Sequence, residues 1–103
     1  MLYMVLERFR NHDARAVYRR FREKGRLLPD GLKYLDSWVE VSGDRCFQLM
    51  ECDDVRLFQQ WTARWSDLVD FEIVAVHSSK EAAAAYEAEL TGSEDNTLGR
   101  ELE

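Results

Sequence analysis

The order of strand-like and helix-like segments is the feature that most constrains how this chain folds. Short segments rich in aliphatic and aromatic residues have the pattern of β-strands, and the segments between them repeat apolar residues at helical spacing. The strand segments are residues 2–9, 32–41, 45–52 and 70–76. Helices are predicted over about residues 13–25, 53–68 and 78–90. The predicted order is therefore βαββαβ with a terminal helix.

This order predicts an α+β, ferredoxin-like domain with a four-stranded antiparallel sheet. Right-handed crossovers would place the first and third strands at the sheet centre, with both main helices on one face. We expect one domain over residues 1–90, because a chain of 103 residues has no room for a second core. Residues 91–103 are polar, contain two glycines and lack periodicity, so we expect a disordered acidic tail there.

The predicted strands are apolar on both faces. The first strand, for example, has Tyr3 and Val5 at odd positions and Met4 at an even one. Two helices cover only one face of a four-stranded sheet, and a short alanine-rich third helix could cover the other only in part. We therefore expect a second copy of the chain to cover that face, which predicts a homodimer through the sheet.

The charge balance argues against nucleic acid as a partner. The chain has 14 basic and 20 acidic residues, a net charge of −6, so the basic footprint of a nucleic-acid-binding domain is absent. A stripe of basic residues on the first predicted helix is interpreted as a solvated helix face. Its members are Arg15, Arg19, Arg22 and Arg26. No apolar run is long enough to span a membrane, so we expect no membrane partner either.

The two cysteines indicate the compartment. Cys46 and Cys52 lie six residues apart in one predicted strand, which is too far for a disulfide between them. Since the start of the chain has no signal-peptide pattern, we expect two reduced thiols in a cytoplasmic protein. No metal-ligand spacing is present, and we expect neither a metal nor a cofactor.

Several stretches of the sequence resemble a known family. These are MLYMVLERFR, RCFQLMECDD and WTARWSDLVDFEIVAV. They are similar to the short bacterial proteins of the domain of unknown function 3303 family, and the resemblance covers roughly residues 1–77. It implies a subunit of the dimeric α+β barrel superfamily, in which ferredoxin-like sheets pair. That superfamily includes small-molecule monooxygenases, isomerases and heme-degrading enzymes, but the family itself brings no catalytic motif.

Two polar residues lie within the predicted central strands. Glu7 and Gln48 are both flanked by apolar neighbours, and a buried carboxylate costs free energy unless it is paired. One hypothesis is that Glu7 is a general base or a ligand anchor in a cavity. The other is a structural hydrogen bond or an ion pair with Arg8 or Arg45. Parity alone does not decide whether Glu7 and Gln48 share a face.

Four aromatic residues could line a pocket for a small ligand, although they could equally be ordinary core. They are Tyr34, Trp38, Trp61 and Trp65. With Glu7 and Gln48 they form the predicted ligand-binding set. The sequence thus leaves three functions open: binding of a partly aromatic small molecule, cofactor-independent catalysis with Glu7 or His12 transferring the proton, and a structural interaction module. A cavity with convergent polar groups would favour the first two.

Overall fold

The computed structural model describes residues 1–92, which form one antiparallel sheet and three α-helices. The elements are β1 (Leu2–Phe9), α1 (Ala14–Lys24), β2 (Lys33–Val39), β3 (Arg45–Glu51), α2 (Arg56–Ala63), β4 (Val69–Val76) and α3 (Ser79–Glu89). The strand order is β2-β3-β1-β4, with β1 and β3 at the centre. The predicted α+β, ferredoxin-like fold is therefore confirmed. Leu90–Gly92 form a short 3-10 turn, and the rest of the predicted tail lies outside the described residues.

The ends of α1 and α3 follow the sequence signals. Asp13 caps α1, because its Oδ1 accepts a hydrogen bond of 3.2 Å from the backbone N–H of Ala16. Gly25 follows the last turn with a φ of 69°, a conformation that glycine adopts without steric cost. Ser78 caps α3 by accepting from the backbone N–H of Glu81 at 3.0 Å.

The second helix is shorter than the sequence predicts. It spans Arg56–Ala63, and Trp65 lies in the turn that leads to β4. Asp54 accepts from the backbone N–H of Arg56 at 3.0 Å and pairs with its guanidinium at 2.9 Å. Asp54 therefore lies before the first turn of the helix and accepts from a backbone N–H at its start.

Both α1 and α2 pack on one face of the sheet, which we call the inner face. Val17 of α1 and Trp61 of α2 are buried in the same core as Val5 and Phe9 of β1. Since side chains alternate along a strand, the inner face of β1 also carries Glu7. The helices therefore position the site by covering this buried acid.

A β-bulge in β2 changes which of its residues reach the inner face. Tyr34 pairs with Met50, but the pairing shifts by one residue before Asp36, so that Trp38 pairs with Phe47. Because the extra residue inverts the alternation, Tyr34 and Trp38 lie on opposite faces. In a regular strand, Tyr34 and Trp38 would share a face because they are four residues apart, and the bulge prevents this.

The opposite, outer face is apolar at its centre. Its central residues are Met4 and Leu6 of β1 with Phe47 and Leu49 of β3. All four are partly exposed. Ala83 is the buried residue of helix α3, and it is not part of the core cluster beneath α1 and α2. Among residues 1–92 no helix is long and apolar enough to cross a membrane.

Candidate functional site

A cavity of about 150 Å³ lies between α1, α2 and the inner face of the sheet. Its apolar walls come from Phe9, Val17, Phe21, Val39, Trp61, Trp65 and Val69. Its polar lining comes from Glu7, Tyr18, Arg26, Ser37, Cys46 and Gln48. Tyr18, Phe21 and Val39 are 50%, 40% and 45% exposed, so the cavity opens to solvent between α1 and β2.

Glu7 and Gln48 meet on the floor of this cavity. Gln48 pairs with Val5 and Glu7 pairs with Cys46, which makes the two polar residues diagonal neighbours on adjacent strands. Gln48 Nε2 donates a hydrogen bond of 2.5 Å to Glu7 Oε1, and both side chains are buried. Gln48 Oε1 is also buried, and within residues 1–92 it has no hydrogen-bond partner. A buried acceptor without a donor is costly, and Gln48 is one of the residues that line the cavity.

Burial changes the acid–base behaviour of the cavity. It raises the pKa of Glu7 from 4.5 to about 7, against the opposing effects of the Gln48 hydrogen bond and the positive charge of Arg26. Burial likewise raises the pKa of the Cys46 thiol to about 11. At neutral pH, Glu7 can therefore gain or lose a proton, whereas Cys46 stays a protonated thiol and a poor nucleophile.

The loop after α1 is anchored by two of its carbonyl groups to α2 and to the turn that follows it. The backbone C=O of Arg26 accepts from the indole N–H of Trp61 and from that of Trp65, each at 2.9 Å. The next carbonyl, that of Leu27, accepts from Arg64 Nη1 at 2.6 Å. Buried indoles need such partners, and these bonds hold the main chain at residue 26 against the cavity.

The side chain of Arg26 contacts two aromatic rings. Its guanidinium carbon lies 3.5 Å from the centroid of the Tyr34 ring and 5.0 Å from that of Phe21. These distances are those of cation–π contacts. In the described part of the chain, no acid lies within ion-pair distance of Arg26 and its guanidinium makes no hydrogen bond. A planar set of N–H donors at the cavity thus lacks an anionic partner.

Four of the six predicted ligand-binding residues line the cavity, and two do not. Glu7, Gln48, Trp61 and Trp65 line it. Tyr34 lies beside it as the platform under Arg26, with its hydroxyl 2.6 Å from Ser37 Oγ. Trp38 lies on the outer face and is 52% exposed, because the bulge in β2 turns it away.

The structure also places two further residues, His12 and Arg26. The side chain of His12 is 81% exposed and pairs with Asp44 at 3.2 Å, outside the cavity lining. Sequence reasoning missed Arg26, which it placed on the solvated stripe of the first helix. Gly25 is the signal that separates Arg26 from that stripe, since the helix ends before it.

The lining residues can bind and protonate, but they do not form a metal site. Within residues 1–92 no three His, Cys, Asp or Glu side chains lie close enough to hold a metal ion. The cavity offers one acid that titrates near neutrality, one cation and one free acceptor. These groups can orient a small polar molecule between apolar walls.

Comparison with known proteins gives a family without an assigned activity. A family model described as "Domain of unknown function (DUF3303)" matches residues 1–90. No curated protein and no solved structure matches the chain.

Proposed function

We propose that this chain, which belongs to the DUF3303 family, binds a small molecule in the cavity between α1, α2 and the sheet. The observation that carries the proposal is the buried, unpartnered Gln48 Oε1 beside Glu7. A filled structural core would leave neither a free acceptor nor an open volume at this point. A ligand that donates an O–H or N–H to Gln48 satisfies the acceptor.

The cavity has room for about one ring. A closed apolar cavity of about 150 Å³ is known to accommodate benzene, and this one has the same volume. The indoles of Trp61 and Trp65 and the ring of Phe21 supply flat apolar walls. The proposed ligand is therefore a single planar ring, or an aliphatic molecule of that volume, with at least one hydrogen-bond donor.

Cofactor-independent catalysis is the second candidate function. The pKa of Glu7, about 7, suits a group that takes a proton from a bound molecule and returns it. Glu7 is the candidate for this role, because His12 lies outside the cavity lining. The structural interaction module, the third function left open by the sequence, has less support, since it gives no role to the cavity.

We also propose that the protein is a homodimer paired through the outer face. The support is the apolar centre of that face, to which Trp38 adds a half-exposed indole. The border of the face is charged with both signs: Arg8 and Arg45 lie beside Asp70 and Glu72 around a second cavity. A two-fold pairing can set basic borders against acidic ones, which suits a second copy of the chain. A light-scattering mass equal to one chain at micromolar concentration would contradict this.

Two further proposals concern the location of the protein and its partners. Cys46 and Cys52 are both buried free thiols, which supports the proposal of a reducing, cytoplasmic location. The net charge of −6 supports the proposal that nucleic acid is not a partner.

The test of the binding proposal uses single-ring probes and a matched pair of variants. Phenol, para-hydroxybenzamide and para-hydroxybenzoate each carry an O–H donor on one ring, and binding is followed by calorimetry and by tryptophan fluorescence. We expect at least one probe to bind with a Kd below about 1 mM, which corresponds to a binding free energy that a few good contacts supply. Gln48→Leu should weaken that probe at least about fivefold. The exposed control Gln60→Leu should leave its affinity unchanged.

Two outcomes would contradict the binding proposal. One is that no probe binds to the wild-type protein at millimolar concentration. The other is that Gln48→Leu and Gln60→Leu bind equally well, because the free acceptor then plays no part. The first outcome makes the structural module the better interpretation of the chain, and the second removes the observation on which the proposal depends.

A further inference from the structure

We propose that the ligand is a small carboxylic acid bound as its anion, with its carboxylate on the Arg26 guanidinium and one proton held by Glu7. This inference rests on the proposed function and names the chemical class of the ligand. It is carried by the position of Arg26, a cation at the cavity that has no anionic partner among the described residues. The buried acid Glu7 lines the same cavity.

Arg26 is preorganised for a planar anion. Its main chain is held by the two indole N–H groups, and its guanidinium makes cation–π contacts with the rings of Tyr34 and Phe21. These ring contacts leave the N–H donors of the guanidinium without a hydrogen-bond partner among the described residues. A carboxylate matches the edge of a guanidinium with two parallel hydrogen bonds, and little side-chain entropy remains to be lost on binding.

The charges that face Glu7 decide when an anion is accepted. Tyr18 from α1 and Cys46 from β3 also line the cavity, and the pKa of each is raised by burial, so both are neutral near pH 7. The aromatic residues of α2, Ser37 of β2 and Val69 of β4 add no charge. The charge inside the cavity is therefore set by Glu7 and Arg26 alone.

Further charges lie on the outer side of the sheet near Glu7. Arg8, Arg45, Asp70 and Glu72 line the second cavity, two of each sign. The formal charges of this group cancel, and Arg8, Asp70 and Glu72 are exposed, so solvent screens their effect on Glu7. They do not alter the balance inside the cavity.

Protonation of Glu7 converts the cavity into an anion site. When Glu7 is ionised, its charge cancels that of Arg26 and repels a carboxylate. When Glu7 is neutral, the cavity has a net charge of +1. Gln48 Nε2 donates to Glu7 Oε1, so the proton can reside on Oε2, from which it can be donated to the ligand. Binding of the anion and uptake of a proton are therefore linked.

The linkage predicts a definite pH dependence for the affinity. The apparent Kd is the intrinsic Kd divided by the fraction of protein that has neutral Glu7. With a pKa of about 7 that fraction is about 0.9 at pH 6 and about 0.1 at pH 8. We therefore expect a carboxylate to bind about tenfold more weakly at pH 8 than at pH 6. A neutral ligand of the same shape should change less than about twofold.

The experiment compares para-hydroxybenzoate with para-hydroxybenzamide, which differ in charge but hardly in shape. Isothermal titration calorimetry at pH 6 and pH 8, in buffers of different ionisation enthalpy, gives both Kd and the protons taken up. For the acid we expect uptake of about 0.9 proton at pH 8 and about 0.1 at pH 6, from the fraction of Glu7 that is ionised before binding. For the amide we expect no uptake.

Two variants and a matched control identify the groups involved. Glu7→Gln, which is always neutral, should bind the acid equally well at pH 6 and pH 8 without proton uptake. Arg26→Gln should weaken the acid at least about tenfold and the amide less than about threefold, as expected for the loss of charge-assisted hydrogen bonds. Arg22→Gln removes an exposed charge from α1 and should change neither affinity.

The possible failures are distinguishable. If the amide binds as tightly as the acid, or if wild-type protein takes up no proton with the acid at pH 8, the carboxylate inference is overturned while the proposed function stands. If neither probe binds, the proposed function itself has failed. The proton uptake is measured on wild-type protein, so a variant that does not fold leaves this test intact.

Discussion

Replacing Glu7 by Gln tests whether the carboxyl group of Glu7 is buried, because burial makes the free energy of unfolding depend on pH. In the described part of the chain Glu7 is the one buried acid. Its pKa is 4.5 when unperturbed and about 7 in the folded protein, chiefly because burial disfavours the charged form. Between these two pH values the folded state holds a proton that the unfolded state has lost. The stability contributed by Glu7 is therefore fully present below pH 4.5 and is lost as the pH rises to about 7.

The magnitude follows from the interval between the two pKa values. Each unit of that interval corresponds to about 1.4 kcal/mol, so the wild-type protein should lose about 3 kcal/mol through this group between the two limits. Gln does not titrate, and the variant lacks this loss. The difference in unfolding free energy between variant and wild type should therefore shift in favour of the variant by about 3 kcal/mol from pH 4.5 to pH 7.5.

Urea denaturation at several pH values in this range measures the shift directly. Taking the difference between the two proteins removes the contribution of all other titrating groups. Glu23→Gln, an exposed substitution on α1, serves as the control and should follow the wild type at every pH. A difference between Glu7→Gln and wild type that stays constant within about 0.5 kcal/mol would show that Glu7 is solvated, and the reasoning about the cavity would be wrong.

Three further predictions concern the loop, the outer face and the core thiol. Trp61→Phe and Trp65→Phe should each lower the free energy of unfolding, measured in urea, by about 1 kcal/mol. The double variant should lose more than the sum of the two, because the Arg26 carbonyl then has neither donor. Strictly additive losses would count against the shared carbonyl. Met4→Glu on the outer face should give a protein that is folded by circular dichroism and monomeric by light scattering. If its mass equals that of the wild-type dimer, β1 is not part of the proposed dimer contact. Cys46 should react with iodoacetamide at pH 8 much more slowly in folded than in urea-unfolded protein, since burial raises its pKa to about 11, and equal rates would contradict its burial.

The inner face of β1 could be predicted because alternation fixes which side chains share a face of an uninterrupted strand. Val5, Glu7 and Phe9 are buried together as their parity requires. The contact between Glu7 and Gln48 could not be predicted, since the register between two strands is set by tertiary pairing. The bulge before Asp36 was missed for a related reason. No glycine or proline marks that position, so nothing in the local sequence distinguishes it from regular strand.

The candidate site was predicted in part, and its charged member was not. Trp61, a member of the predicted ligand-binding set, is buried in the core and lines the cavity. The partner of its indole N–H is a backbone carbonyl. Backbone partners leave no trace in the sequence, since every residue has the same carbonyl group. The position of Arg26 depends on this carbonyl, which is why a periodicity argument placed it on the solvated helix face.

The dual use of residue 26 has an evolutionary consequence. The carbonyl group of residue 26 anchors the loop through hydrogen bonds, whereas the side chain of the same residue, in our proposal, selects the ligand. A substitution at this position keeps the carbonyl and its two indole donors, so this anchoring survives while the charge at the cavity changes. Relatives with an apolar side chain here would favour uncharged ligands, and relatives with an acidic one would favour cations. Ligand preference in such a scaffold can diverge at a single position without a new fold having to be found.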